Sequence, residues 1–165
     1  MSHHEVKGIW PGPCFGCSPA NPHGLRLRFT HTEKGCQTRF TAPEELCGFT
    51  GMVHGGIIAT LLDEVSAWAM IAYLGRLGAT REMTTRYLKP VPTGVELIVT
   101  GTVAEDDAKG ALIRARISNG DGVVLAEGES SWAFMKLSRI AALAKVDEGT
   151  FAQFLADCCP QREEP

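Results

Sequence analysis

The sequence has few aromatic residues, little net charge and no long uninterrupted apolar run. Only 7% of its 165 residues are aromatic, and the formal net charge is −3. Its Lys and Arg residues are scattered, so no basic patch is available for a phosphate backbone and nucleic acid is not an expected partner. No apolar run reaches the roughly 18 residues of a membrane span, and residues 1 to 7 lack the apolar core of a signal peptide. We therefore expect a soluble, cytoplasmic protein with no membrane partner.

The six cysteines lack the regular spacing of a metal-binding framework, and in a reducing cytoplasm we expect them to be thiols. Cys14 and Cys17 form a Cys-x-x-Cys motif, with His23, Cys36 and Cys47 further along. Two interpretations remain open, part of a structural zinc site or a turn with small buried thiols. No second close pair with ligand spacing follows, which favours the turn. We expect no metal and no cofactor.

The first third of the chain predicts a loop followed by two short strands. Residues 10 to 24 are dense in Pro, Gly and Asn, which interrupt regular hydrogen bonding. Leu25, Leu27 and Phe29 then alternate with arginines at the period of a half-buried strand, and residues 36 to 41 can pair with it.

The longest regular element is an apolar helix predicted from Ile57 to about Leu74, a stretch without Gly or Pro. One broad face of this helix is apolar. The opposite face carries small or neutral residues rather than charges, and a helix without a polar face belongs in an interior. The small-residue face consists of Gly56, Ala59, Thr60, Asp63, Ala67 and Met70.

Four strand-like runs follow the helix, at residues 81–88, 96–103, 111–117 and 123–135, with a strong hairpin turn at 118–122. Successive hairpins predict an antiparallel sheet. A single apolar helix is best buried if this sheet curls around it, so the predicted fold class is α+β, with an antiparallel sheet wrapped around one long central helix in the hot-dog arrangement.

We divide the chain into an N-terminal segment (1–24), a hot-dog domain (25–135) and a C-terminal extension (136–165). Apolar residues at helical spacing after a possible Asp147 cap fit two short helices or a partly ordered tail. Residues 161 to 165 are expected to be disordered.

The first candidate site residues are His54, Gly55 and Gly56, directly before the central helix. Glycines let a backbone approach a ligand closely, and the amides of a first helical turn have no partner within the helix. Such amides, with the helix dipole, can stabilise an oxygen that gains negative charge. The alternative is that the glycines only form a tight loop.

Asp63 is the second candidate, about two turns into the helix on its small-residue face. A carboxylate there is costly unless it is solvated from a cleft, hydrogen-bonded or used in chemistry, and local hydrogen bonding is the simpler alternative. The small neighbours allow a second subunit to approach, with a site between the two. Glu64 points roughly 100° away around the helix and is the weaker candidate.

Residues 51 to 70 resemble the signature of the phenylacetyl-CoA thioesterase family of hot-dog proteins, and residues 84 to 92 resemble the family's next strand. The resemblance implies hydrolysis of an acyl-CoA thioester without a cofactor. It assigns Asp63 as general base or nucleophile and the Gly55 amide as the group that holds the thioester oxygen, while His54 shapes the loop.

The resemblance also indicates further site residues. Thr80 matches a position where several members place a hydroxyl that orients water, although a surface strand residue is an equal alternative. Gly48 stands where some relatives carry an Asn or Gln that positions the substrate carbonyl, and we place it with Gly56 in the substrate-binding set. Arg86 and Lys89 are candidates for the coenzyme A phosphates because they lie near the expected strand.

Three questions stay open at the level of sequence. The alternative to a thioesterase is a non-catalytic acyl-CoA-binding or regulatory hot-dog module that uses the same cleft. The family resemblance implies a homodimer or a homotetramer built as a dimer of dimers. Preference for acyl chain length or for aryl groups does not follow from the sequence.

Overall fold

A computed structural model describes residues 4–159 as an antiparallel sheet wrapped around one long helix, which confirms the predicted fold class. The predicted disorder of residues 161 to 165 lies outside the described residues. The strands are β1 (Thr30–Thr32), β2 (Gly35–Thr41), β3 (Cys47–Phe49), β4 (Met52–Val53), β5 (Gly78–Tyr87), β6 (Glu96–Asp106), β7 (Gly110–Ser118) and β8 (Val124–Phe134), and the helices are α1 (Gly55–Leu74), α2 (Leu137–Ala144) and α3 (Glu148–Cys158).

The main sheet has six strands in the order β1-β2-β6-β7-β8-β5, and every neighbouring pair is antiparallel. The four strands predicted after the helix are all present, with ends shifted by no more than three residues. β3 and β4 form a separate two-stranded hairpin just before α1. Within the described residues, β5 is an edge strand of ten residues that pairs only with β8.

The strand predicted over residues 25 to 29 is wrong. β1 includes only Thr30–Thr32, because Arg26 adopts a left-handed backbone conformation with φ of 53° that interrupts an extended chain. The amide of Leu27 instead donates to the carbonyl of Gly16, which ties this segment to the preceding loop. Leu27 is buried, as the alternation predicted. The pattern therefore predicted the burial of this side chain correctly, but it did not predict which backbone groups pair.

The central helix α1 begins two residues earlier than predicted, with His54 as its N-cap, and ends at Gly75, whose φ of 62° is the left-handed conformation common at helix ends. Within the part of the chain that the structure describes, α1 alone is long and apolar enough to cross a membrane. This helix lies inside the curved sheet. Helices buried in a protein core often have the same length and hydropathy as a membrane span.

The sheet approaches the central helix closely where β6 carries a glycine. A Cβ atom on Gly101 would lie 2.5 Å from the carbonyl oxygen of Val65 in α1. The missing side chain therefore sets the spacing between helix and sheet, which brings fully buried residues such as Leu61 and Val99 together in one core.

The C-terminal extension forms two helices, one of the two alternatives that the sequence allowed. Asp147 caps α3 as predicted, since its side chain accepts a hydrogen bond from the Thr150 amide. α3 packs edge-to-face on the central helix, with the rings of Phe154 and Trp68 5.7 Å apart, and Trp10 of the N-terminal segment joins the same cluster. The division of the chain at residues 24 and 135 stays a prediction.

Candidate active site

The start of α1 presents one free backbone donor. The Nδ1 atom of His54 accepts a hydrogen bond of 2.9 Å from the Gly56 amide, which closes the first turn of the helix. The amide of Gly55 donates to none of the acceptors among residues 4–159. Gly55 therefore offers a free amide, as expected for the group that holds the thioester oxygen. The amide of Gly56, which was predicted to bind substrate, is already bonded to His54.

A cleft of about 660 Å³ opens in front of this helix end. His54 and Gly55 form one wall, and Tyr87 at the end of β5 donates a hydrogen bond of 3.1 Å to the Gly55 carbonyl. Sequence analysis missed Tyr87, because its contact with Gly55 spans 32 residues and no local pattern indicates it. The apolar lining consists of Phe49, Met52, Val53, Ile58, Leu88 and Val91.

Asp63 and Thr80 are brought together, as the sequence implied only indirectly. The Thr80 hydroxyl donates a hydrogen bond of 2.8 Å to Oδ1 of Asp63. Asp63 is half-buried and Thr80 is exposed, so the carboxylate is neither sealed in the core nor fully open to solvent. The hydroxyl thus holds the carboxylate in one orientation, and the orientation of water by Thr80 stays a prediction.

Asp63 and the Gly55 amide do not share a cleft within one chain. Eight residues of helix separate them, which corresponds to about 12 Å along the axis. Asp63 is absent from the lining of the cleft that contains Gly55. A thioester carbonyl bonded to the Gly55 amide is therefore too far from Asp63 of the same chain for direct attack.

Gly48 and Lys89 both line the cleft. A Cβ atom on Gly48 would lie 3.2 Å from the His54 Cα, so the glycine allows the loop to pack tightly on the histidine. Arg86 lies on the opposite face of β5, where its guanidinium pairs with Glu127 at 3.2 Å. The structure thus brings Lys89 to the cleft and leaves Arg86 away from it, and the phosphate-binding role of either residue stays a prediction.

Glu64, next to Asp63 in sequence, faces the N-terminal segment instead of the cleft. Burial raises the pKa of its carboxyl group to about 8. A group that is mostly protonated near neutral pH is a poor carboxylate base, so of the two adjacent acids Asp63 is the better candidate.

Residues 50–126 match the family model of the thioesterase superfamily. Among curated proteins, human acyl-coenzyme A thioesterase 13 is 29% identical over 87 residues, which is 52% of this chain and 62% of that protein. The chain spans less than two thirds of the length of the curated relatives it matches. The covered share of each relative lies between 33% and 62%.

Three solved structures share the fold. A thioesterase superfamily protein has a TM-score of 0.69 at 25% identity, over 81% of this chain and 68% of that one. The smu.793 protein of Streptococcus mutans, solved with acetyl CoA, has a TM-score of 0.62 at 22% identity, over 66% and 88%. The PaaI protein of E. coli has a TM-score of 0.63 at 18% identity, over 68% and 81%.

Residues 50–126, just under half of the chain, therefore resemble the thioesterase superfamily, and the fold is that of a hot-dog protein. Among hot-dog proteins its fold is PaaI-like.

Proposed function

We propose that the protein hydrolyses acyl-CoA thioesters to a free acid and coenzyme A, at a site that two copies of the chain form together. The proposal rests on two features of helix α1. The Gly55 amide is a free donor at its start, and the Asp63 carboxylate accepts a hydrogen bond from Thr80 further along. Because about 12 Å of helix separates the two groups in one chain, Asp63 of one copy serves the Gly55 amide of the other.

The sheet edge supports an assembly of two copies. β5 presents ten residues of edge backbone and includes Thr80, whose hydroxyl bonds to Asp63. An exposed edge strand of this length is a template for pairing with another strand. Antiparallel pairing of β5 with its counterpart in a second copy would place the two central helices next to each other, with their small-residue faces between them.

The reaction begins when the thioester oxygen accepts a hydrogen bond from the Gly55 amide at the positive end of the α1 dipole. Asp63 then removes a proton from water as the water oxygen attacks the carbonyl carbon. The tetrahedral oxyanion collapses, the carbon–sulfur bond breaks, and the proton passes from Asp63 to the leaving thiolate. In the alternative course, the carboxylate attacks first and water hydrolyses the resulting anhydride.

The cleft suits an acyl group better than a polar substrate. Its volume of about 660 Å³ falls within the range of ligand sites, and its lining is mainly apolar. Lys89 at its rim supplies one positive charge for a coenzyme A phosphate. A structure of the same fold with acetyl CoA bound adds support for this class of ligand.

The test is thiol release from short-chain, long-chain and aryl acyl-CoAs by the wild type and matched variants. Asp63→Asn removes the base and should lower kcat by about 10²-fold or more, while Glu64→Gln next to it retains turnover.

Gly55→Pro deletes the amide at a helix position where proline is well tolerated, and should lower kcat by about 10²-fold. Gly55→Ala keeps the amide, and its Cβ meets only ordinary contacts at 3.6 Å, so it should stay active.

Full activity in Asp63→Asn would reject the carboxylate's role. Saturable binding of acyl-CoA by the wild type without any thiol release would instead identify the non-catalytic binding module.

A further inference from the structure

The N-terminal segment brings two thiols against the carboxyl group of the central helix. Sγ of Cys14 lies 3.3 Å from Oε1 of Glu64, and the ligand atoms of Cys14, Cys17 and Glu64 all lie within 4.8 Å of one another. We call these three residues the dithiol–carboxylate cluster. The proposed reaction uses none of them.

We propose that the dithiol–carboxylate cluster binds a divalent cation of the zinc class, with two thiolates and one carboxylate as protein ligands. The donor set fits this class of metal, because zinc accepts sulfur and carboxylate oxygen in one tetrahedral site, whereas magnesium and calcium take oxygen ligands. Three protein ligands leave a fourth position for water.

The distances agree with one shared ion. Metal–ligand bonds of about 2.3 Å to sulfur and about 2.1 Å to oxygen put two ligands of a tetrahedral zinc about 3.5–3.8 Å apart. The Cys14–Glu64 pair, at 3.3 Å, is already close to this spacing. Cys14 is only half-buried, so one side of the cluster is open to a water ligand.

The surroundings of the cluster are built for close approach of these groups. A Cβ atom on Gly16 would lie 2.2 Å from Cδ of Glu64, so only a glycine between the two cysteines admits the carboxyl group. A dication also offsets the cost of placing three acidic groups in one partly buried position.

A bound cation would connect the N-terminal segment to the central helix. Cys14 and Cys17 lie about 50 residues before Glu64, so the metal closes a long loop and stabilises the folded state more than the unfolded state. The cation lies away from the cleft and has a structural role.

The experiment uses the reduced, full-length protein without an affinity tag. After equilibration with Zn²⁺ and desalting, elemental analysis should find one zinc per chain, and Zn²⁺ should raise the melting temperature. Cys14→Ser, Cys17→Ser and Glu64→Gln should each lose stoichiometric zinc. Cys47→Ser, which removes a half-buried thiol outside the cluster, should keep it.

Cobalt substitution in the wild-type protein gives a readout that does not depend on the folding of a variant. Thiolate-to-cobalt charge transfer with tetrahedral d–d bands supports the site, and an octahedral spectrum without charge transfer contradicts it.

Zinc that remains in all three cluster variants, or no zinc in the wild type, would overturn the proposal. If the wild type takes no zinc and hydrogen peroxide closes a Cys14–Cys17 disulfide, the cluster is a redox pair instead. Neither readout depends on hydrolysis, so the proposed function stands or falls separately.

Discussion

The hydrogen bond between Thr80 and Asp63 is the most specific feature of the candidate site. A hydroxyl that donates to one carboxylate oxygen fixes the orientation of the whole carboxylate. Its distance of 2.8 Å is that of a good hydrogen bond to a charged acceptor. In the proposed mechanism, Thr80 therefore acts through Asp63, as a positioning residue.

Replacing Thr80 by Val removes this hydrogen bond at nearly constant shape. We expect kcat to fall about tenfold, the value of a hydrogen bond to a charged group, with KM unchanged because Thr80 does not touch substrate. Steady-state kinetics on one acyl-CoA measures both constants. Thr80→Ser keeps the hydroxyl and should retain most activity, and a rise in KM at constant kcat in Thr80→Val would contradict the positioning role.

The positions of candidate site residues could be predicted from the sequence where the residues lie in one element. The free amide of Gly55 and the carboxylate of Asp63 belong to one helix, so their helical positions follow from counting residues. Arg86 and Tyr87 were harder, since adjacent strand residues point to opposite faces and the sequence does not say which face meets the helix. Tyr87 contacts Gly55, whereas Arg86 pairs with Glu127 on the outer face.

At the scale of elements, the contact of α1 with β6 fixes how tightly the sheet wraps the helix. The carbonyl oxygen of Val65 occupies the space that a side chain at position 101 would need. Backbone atoms of a buried helix cannot move aside cheaply, so any substitution here pushes the helix away from the sheet.

Gly101→Ala should lower the free energy of unfolding by about 1–3 kcal/mol through overpacking. Chemical denaturation of the wild type and the variant measures this difference. Gly120→Ala is the matched control, because a Cβ there meets nothing within 4 Å, and it should change stability by no more than about 0.5 kcal/mol. Equal stability of the two variants would show that the helix can move freely against the sheet.

Elements with strong periodicity were predicted well, and those held by distant contacts were not. The stretch of α1 without Gly or Pro after Gly56 and the hairpin turn after β7 are local signals. The chain before Thr30 keeps the alternation of a strand, but its backbone bonds go to the Cys14–Cys17 turn. The same turn brings Cys14 to Glu64, a contact across 50 residues that motif spacing cannot show.

At the scale of the whole molecule, the two groups that we propose as catalytic do not meet within one chain. Gly55 opens into the cleft beside β4, and Asp63 lies about 12 Å further along α1 beside the edge strand β5. The sequence predicts both halves because they lie in one helix. It does not give their joint geometry, which in the proposed shared site depends on how a second copy docks.

The most direct measurement is the activity of a purified mixed assembly that contains Asp63→Asn in one chain and Gly55→Pro in the other, isolated through two different affinity tags. Each variant alone should be nearly inactive. If a site combines Asp63 of one copy with the Gly55 amide of its partner, a mixed pair has one intact site of two and should recover about half of the wild-type activity. A mixed pair no more active than the two parent variants would show that both groups act within one chain, contrary to the proposed shared site.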